Sequence, residues 1–349
     1  MRLCCLPLPT PAFAIDAHPT KPVFAVGLLS GQVRLYASSH SAEKDTHPPS
    51  KTRGARAHNG AARTVKFKET QLFSAGSDAA LIRRDVETFK VNWRRSKTHK
   101  TNINVVELLD EAGIASGDDD GIVHMWDLRD KKPALTFHEH MDMISGLFFH
   151  EQECQLAASS SDGMVSVYDL RRGRLFARSD DLEDCVNCLA PAKKAKKLLC
   201  GMNEGVIGIF SWGNFGDYTD RCTDHPDAVE SMANLNDDIV LTGCADGLIR
   251  ALRIHPNKVL GVVGQHADAV LNMCVSNEDI LYTTGADGMV QLWDISALRT
   301  SEDASSENSE NSDSDREQDP IQVKKMRLVQ QGKKPNSAIK SLDFLQGMA

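Results

Sequence analysis

Apolar and polar positions alternate along most of this chain in short runs, the two-residue period of half-buried β-strands. The runs are organised by one recurring phrase. It reads SGQVRLYA from Ser30, DAALIRRD from Asp78, DGIVHMWD from Asp120, DGMVSVYD from Asp162, EGVIGIFS from Glu204, DGLIRALR from Asp246 and DGMVQLWD from Asp287. The seventh residue of each phrase is Tyr36, Arg84, Trp126, Tyr168, Phe210, Leu252 and Trp293, at successive spacings of 48, 42, 42, 42, 42 and 41 residues. A histidine stands 26 to 28 residues before that position at His58, His99, His140, His225 and His266, and the fifth unit has Glu183 there. Between the two landmarks lie apolar runs such as Ile144–Phe149 then Gln155–Ala158, or Val270–Val275 then Ile280–Thr284. Each unit thus supplies three or four strands separated by turns. A period of about 40–45 residues with these marks predicts a β-propeller of four-stranded blades.

The pairs Trp126-Asp127, Tyr168-Asp169 and Trp293-Asp294, each after an Asp-Gly turn, resemble the WD-repeat family over residues 1–299. The resemblance implies an all-β, seven-bladed β-propeller of WD repeats, followed by a tail at 300–349. It also implies a buried hydrogen-bonded network in each regular blade: His99, Ser116, Asp120 and Trp126 in the third, and His266, Thr283, Asp287 and Trp293 in the seventh. A buried His and Asp are tolerable only because each satisfies the other, so their role is structural rather than catalytic. The first, second, fifth and sixth units depart from the pattern: Ser30 and Glu204 stand for the turn Asp, and Arg84 and Leu252 for the aromatic residue. Their internal networks are therefore in doubt. Closure of the ring needs the last blade completed from elsewhere, since an open sheet edge invites association. Arg2–Leu6 is the expected outer strand there, with Val323–Val329 as the alternative.

The 349 residues carry 40 Lys and Arg against 48 Asp and Glu, a net charge of −8, which leaves room for a local basic face. No apolar run reaches the ~20 residues of a membrane helix, so no membrane association is expected. The N-terminal MRLCCLPLPTPAFA mimics a signal peptide, but Pro7, Pro9 and Pro11 interrupt its apolar stretch. The 9 cysteines are scattered and odd in number, which favours a reducing compartment. Composition changes after Arg299: Ser301–Asp319 holds eight acidic residues and one Arg, too little apolar surface to order itself. Ser312 and Ser314 each precede an acidic residue by three positions, as acid-directed kinases prefer. Lys324, Lys325, Arg327, Lys333 and Lys334 follow as split basic clusters compatible with nuclear import.

Catalytic signatures are missing: the chain has no G-x-S-x-G, P-loop or H-E-x-x-H, and neither an enzyme nor a cofactor or metal is expected. The one C-x-x-C, Cys185 and Cys188, falls on an expected inner strand, where residues three apart face opposite ways. Candidate chemistry lies in the turns. In an antiparallel blade with strands a to d, the a–b and c–d turns share one end. Arg129, Lys131 and Lys132 (third blade, c–d), Arg171, Arg172 and Arg174 (fourth, c–d) and Lys193, Lys194, Lys196 and Lys197 (fifth, a–b) should emerge together, with net charges of +2, +3 and +4 per turn. The long first-blade loop with Lys44, Lys51, Arg53 and Arg56 is expected on the same end. Such a patch suits phosphate backbones or an acidic partner, and without interleaved aromatics any RNA contact would be backbone-directed. The same region holds two Asp-x-Arg boxes, Asp127–Arg129 and Asp169–Arg171. These resemble the boxes by which WD-repeat substrate receptors meet the adaptor of cullin-type ubiquitin ligases.

Three further stretches are not generic blade requirements: Ser211–Gly216 with Asp220-Arg221, Asp246–Arg250 running on through His255–His266, and Ala115–Gly121. They resemble the family of WD repeat-containing protein 55 and its fungal ribosome-biogenesis counterparts. That resemblance implies a non-enzymatic scaffold of the nucleus and nucleolus, supporting ribosomal-RNA processing and large-subunit assembly. Its partners would be pre-ribosomal particles or assembly factors.

Overall fold

The computed structural model describes residues 1–38, 49–109, 113–130 and 132–299. After β1 (Arg2–Pro7), the first blade is β2 (Ala12–Ala17), β3 (Val23–Leu28), β4 (Gln32–Ala37) and β5 (Ser50–Arg56). The second is β6 (Ala62–Lys68), β7 (Gln71–Gly76), β8 (Leu81–Asp85) and β9 (Val91–Arg95), and the third β10 (Ile103–Leu108), β11 (Gly113–Asp118), β12 (Val123–Asp127) and β13 (Pro133–Phe137). The fourth is β14 (Ile144–His150), β15 (Gln155–Ser160), β16 (Val165–Asp169) and β17 (Arg174–Arg178), and the fifth β18 (Val186–Ala192), β19 (Lys197–Met202), β20 (Ile207–Ser211) and β21 (Asp220–Cys222). The sixth is β22 (Val229–Asn234), β23 (Ile239–Cys244), β24 (Leu248–Arg253) and β25 (Lys258–Gln265). Only three strands remain for the seventh, β26 (Val270–Val275), β27 (Ile280–Gly285) and β28 (Met289–Asp294), and β1 completes it.

The chain is therefore a seven-bladed, all-β propeller. Closure is by the N-terminal strand: β1 pairs antiparallel with β28, Cys4 opposite Leu292 and Leu6 opposite Val290. The alternative closing segment, Val323–Val329, lies outside the described residues, as do Ser312, Ser314 and the basic clusters of the tail.

Burial follows position in the blade. Strands b and c are covered on both faces, so β15 and β23 are buried at every residue, whereas the outer β17 alternates exposed and half-buried. Each a–b pair carries a register shift after its first residue, as between Ile103 and Val105 or Val270 and Asn272. A bulge at that place bends and twists strand a where the blades crowd toward the axis. Glycine in strand b makes the crowding feasible. A Cβ on Gly117 would sit 2.5 Å from Ile144 of the next blade, and one on Gly243 would sit 2.7 Å from Val270. The apolar core is consequently not central but divided among the junctions. One cluster packs Leu35 and Ala62 with Leu72, and another packs Leu156 and Tyr168 with Ile144 and Phe137. No helix among the described residues is long and apolar enough to cross a membrane.

Candidate functional site

The seventh blade holds the full network. His266 shares hydrogen bonds with Asp287 at 3.0 Å through Nδ1 and Thr283 at 2.7 Å through Nε2, and Trp293 Nε1 donates to Thr283 at 3.0 Å. In the third blade His99 meets Ser116 at 2.7 Å, and Trp126 donates to the same hydroxyl at 2.8 Å. Its carboxylate partner is Asp118 at 2.7 Å, not Asp120 as the resemblance to the WD-repeat family implied. Asp118 ends β11 and its Oδ1 accepts the N–H groups of Asp120 and Ile122, so it caps the turn from the strand side while Asp120 is exposed. Burial raises the Asp118 carboxyl, but the bonds from His99, Ile122 and Asp120 outweigh that and hold it below the ordinary value.

The second blade, doubtful from sequence, has its own triad: His58 with Asp78 at 2.8 Å and with Ser74 at 3.0 Å. The fourth is incomplete. His140 reaches Asp162 at 3.0 Å, but Ala158 stands where the second, third, sixth and seventh blades have Ser or Thr, and His140 Nε2 has no partner among the described residues. These groups lie inside the blades, where they join strands and are closed to substrates.

The basic turns do share one end, but their charge is partly spent within the molecule. Arg129 folds back on Asp127, with Nε at 2.9 Å and Nη2 at 2.6 Å, which holds the Asp127 carboxyl down at about 2. In the fourth blade it is Arg172, not Arg171, that faces Asp169, at 3.6 Å, so the two Asp-x-Arg boxes are not equivalent. Lys193 pairs with Asp238 and donates its backbone N–H to Asp237 O at 2.7 Å; the Lys194 ammonium lies 4.0 Å from the Asp237 carboxylate. Lys193, Lys194 and Ala195 all have positive φ, between 52° and 59°, so this turn is a left-handed coil clamped to the sixth blade's acidic turn. Lys197 opens β19 and donates to Ser211 at 2.7 Å. Glu151 and Glu153, in the fourth blade's a–b turn, add negative charge to the same end. Lys132, Arg171, Arg174 and Lys196 are exposed and have no ion pair among the described residues; Lys131 lies outside them.

The first-blade expectation needs correction. Lys51, Arg53 and Arg56 are not in a loop but on β5, which pairs along β4 from Ala37 to Gln32. Only its Lys51 end reaches the basic end, because Arg56 lies opposite Gln32 at the other; Lys44 is outside the described residues.

Sequence reasoning missed two devices. Trp212 bridges blades by donating Nε1 to Gln155 at 2.9 Å and packing 4.4 Å from His150, and Asn257 donates to Asp220 at 2.5 Å across the fifth and sixth blades. The signal was present in the two unusual runs that contain these residues, although their meeting was not. The second device is a chain of charge across the inner strands. Lys66 lies 3.5 Å from Glu107, and Asp16 accepts the Phe67 N–H at 2.6 Å while burial pushes its carboxyl up to about 6. No group of His, Cys, Asp and Glu among the described residues could hold a metal ion, and Cys185 and Cys188 are free thiols.

The sequence model of one family, WDR55, matches residues 5–298, all of the propeller but the start of β1. WD repeat-containing protein 55 of Arabidopsis thaliana is 33% identical over 258 residues, covering 72% of this chain and 71% of that protein. The protein of that name in Homo sapiens is 31% identical over 260 residues, covering 74% and 67%. WD repeat-containing protein JIP5 of Coprinopsis cinerea is 32% identical over 269 residues, covering 74% and 65%. None of these names specifies a reaction.

Proposed function

The chain belongs to the WDR55 family, a group of WD-repeat scaffold proteins, and from that premise we propose that it serves ribosome biogenesis in the nucleolus. In this reading it is a non-enzymatic platform for ribosomal-RNA processing and large-subunit assembly. The end that carries the a–b and c–d turns faces pre-ribosomal RNA or an acidic assembly factor. The observation behind this is the row of exposed cations without ion pairs among the described residues, Lys132, Arg171, Arg174 and Lys196, on three adjacent blades. Cations already paired to carboxylates offer a polyanion little, because the partner must first displace the internal acid. Four unpaired ones in a row supply a salt-sensitive contact that tracks a phosphate backbone without reading bases.

The test is purification of the tagged full chain from nuclear extract at low and high salt, against a variant carrying Lys132→Glu, Arg171→Glu, Arg174→Glu and Lys196→Glu. These residues make no ion pair among the described residues, so each reversal should change stability by no more than about 0.5 kcal/mol. Precursor RNA that co-purifies with the parent, falls away with salt and is lost in the variant supports the reading. Equal recovery by the variant removes it. Salt-resistant recovery of a cullin and its adaptor, lost in Arg129→Ala, would favour the Asp-x-Arg reading instead.

A further inference from the structure

A second cationic site lies at the junction of the first and second blades. An open groove of about 520 Å³ is lined by Lys51, Thr52, Arg53 and Gly54 of β5 and by Phe89 from the turn between β8 and β9. Strand β5 is exposed along nearly all its length, unlike the other outer strands, and it presents Lys51 and Arg53 to water. The acids of the neighbouring turn are engaged elsewhere: Glu87 with Lys21 at 2.8 Å, and Asp85 with the Thr88 N–H at 2.7 Å and hydroxyl at 2.8 Å.

Behind the groove is an anomaly. Arg84, at the place of the repeat's aromatic residue, is only 7% exposed and has no carboxylate within ion-pair distance among the described residues. Its Nη1 donates to Phe89 O at 3.2 Å, its guanidinium lies 5.0 Å from the Phe89 ring centre, and its Nε has no partner. An arginine cannot shed its proton, so this is a buried charge with no ion-pair partner among the described residues. Phe89 is itself strained, with φ of 59°. The matching turn of the fourth blade is built alike, Arg172 N–H donating to Asp169 as Thr88 does to Asp85, but the left-handed position is Gly173, φ 62°. Glycine takes that conformation freely, whereas a bulky side chain is an outlier there. Strain of this kind persists where the surroundings over-determine it, and it gathers at sites that bind.

We propose that this groove binds a backbone phosphate of single-stranded RNA, held by Lys51 and Arg53 and attracted by the buried charge of Arg84 behind Phe89. A charge walled off from solvent is poorly screened, so Arg84 projects positive potential into the groove without touching the ligand. Lys51 sits at the end of β5 that shares its side of the propeller with the unpaired cations of blades three to five, so one strand can run from the groove onto those turns. The choice of RNA as the phosphate carrier rests on the function proposed above; the groove and its charge do not.

The test is fluorescence anisotropy of the full chain with a labelled single-stranded oligouridine across a salt series. Lys51→Gln with Arg53→Gln should weaken binding about tenfold and lower the slope of log affinity on log salt by about 1.4, at ~0.7 per contact on a single strand. Arg84→Met should leave the melting temperature unchanged or raised, because it removes an uncompensated buried charge, yet weaken binding about threefold. A purely structural Arg84 would show the reverse, lower melting and unchanged affinity, and would overturn its part. Parental affinity in the double variant overturns the site, as does a parent that does not bind the RNA. A phosphoserine peptide that displaces the RNA at equal phosphate concentration overturns the assignment to RNA. The four turn reversals, run in parallel, separate the two ideas. Binding lost there but kept in the groove variants defeats the groove alone; the converse defeats the outer-turn reading alone.

Discussion

The sixth and seventh blades start from nearly the same phrase and end with different internal chemistry. In both, the histidine meets the strand-b hydroxyl, His225 with Thr242 at 2.9 Å and His266 with Thr283 at 2.7 Å. In both, the turn aspartate accepts the N–H two residues on, from Leu248 and Met289. The divergence comes from one position on strand c. Gln291 in the seventh blade lies against His266 Nδ1 at 3.2 Å and leaves Asp287 to the histidine. Arg250, its counterpart, takes Asp246 with contacts of 2.5 and 3.2 Å, and His225 Nδ1 is left with no partner among the described residues. Burial, then the Arg250 charge, pushes His225 down to about 4. The aspartate's duty as a turn cap is thus separable from its link to the histidine, and strand c decides which bond it keeps.

If so, the blade with the broken network is the more fragile one at its aspartate. Asp246→Ala would strand Arg250, only 8% exposed, without its counter-charge, at a cost of about 3 kcal/mol or more. Asp287→Ala would leave a neutral histidine short of one partner, at about 1–3 kcal/mol. Adding Arg250→Leu to Asp246→Ala should recover most of the loss. Urea unfolding of the three variants checks the order, and a larger loss from Asp287→Ala than from Asp246→Ala would reverse the account.

Arg250→Gln should convert the sixth blade to the seventh's arrangement, which pH can read. His225 titrates at about 4 in the folded chain against 6.5 when unfolded. Folding therefore keeps it neutral, and its contribution is complete above pH 6.5 and is lost as pH falls toward 4, up to about 3 kcal/mol. With Asp246 released to His225, the folded value should rise and the acid loss shrink by more than half. Histidine ring titration by NMR, beside unfolding at pH 7 and pH 5, measures both. An unmoved His225 would mean that Asp246 does not turn back.

The third blade shows how much of this can be read from sequence. Repeat spacing was enough for the blade count, because the count is fixed by period; the closing strand β1 followed from the need to close the ring, and the His, Ser and Trp of the network from the resemblance to the WD-repeat family. Sequence reasoning failed at Asp118-Asp119-Asp120, where three identical side chains compete and only the strand's end geometry selects the first. It failed again at Lys193 and Lys194, whose partners Asp237 and Asp238 belong to a turn 45 residues on, and at Lys51 and Arg53, where an expected loop is a strand. Contacts between neighbouring blades carry no local signature. Asp118→Ala should cost about 1–3 kcal/mol by leaving His99 and two N–H groups unpaired, whereas Asp120→Ala should stay within about 0.5 kcal/mol. Equal losses would return the role to Asp120.

The fourth blade offers the finest adjustment, by supplying what it lacks. His140 presents Nδ1 to Asp162, which fixes the proton there and leaves Nε2 as an acceptor with nothing to accept from. Ala158 occupies the strand-b place of Thr283, so Ala158→Ser puts a hydroxyl where the seventh blade has one. The new bond should contribute about 0.5–1 kcal/mol. Against it stands packing, since Ala158 is fully buried and an added atom in a filled space costs about as much or more. A raised unfolding midpoint with unchanged slope would mean that the vacant Nε2 outweighs the crowding. A lowered one would mean that the fourth blade has repacked around its missing hydroxyl, just as the sixth has around Arg250.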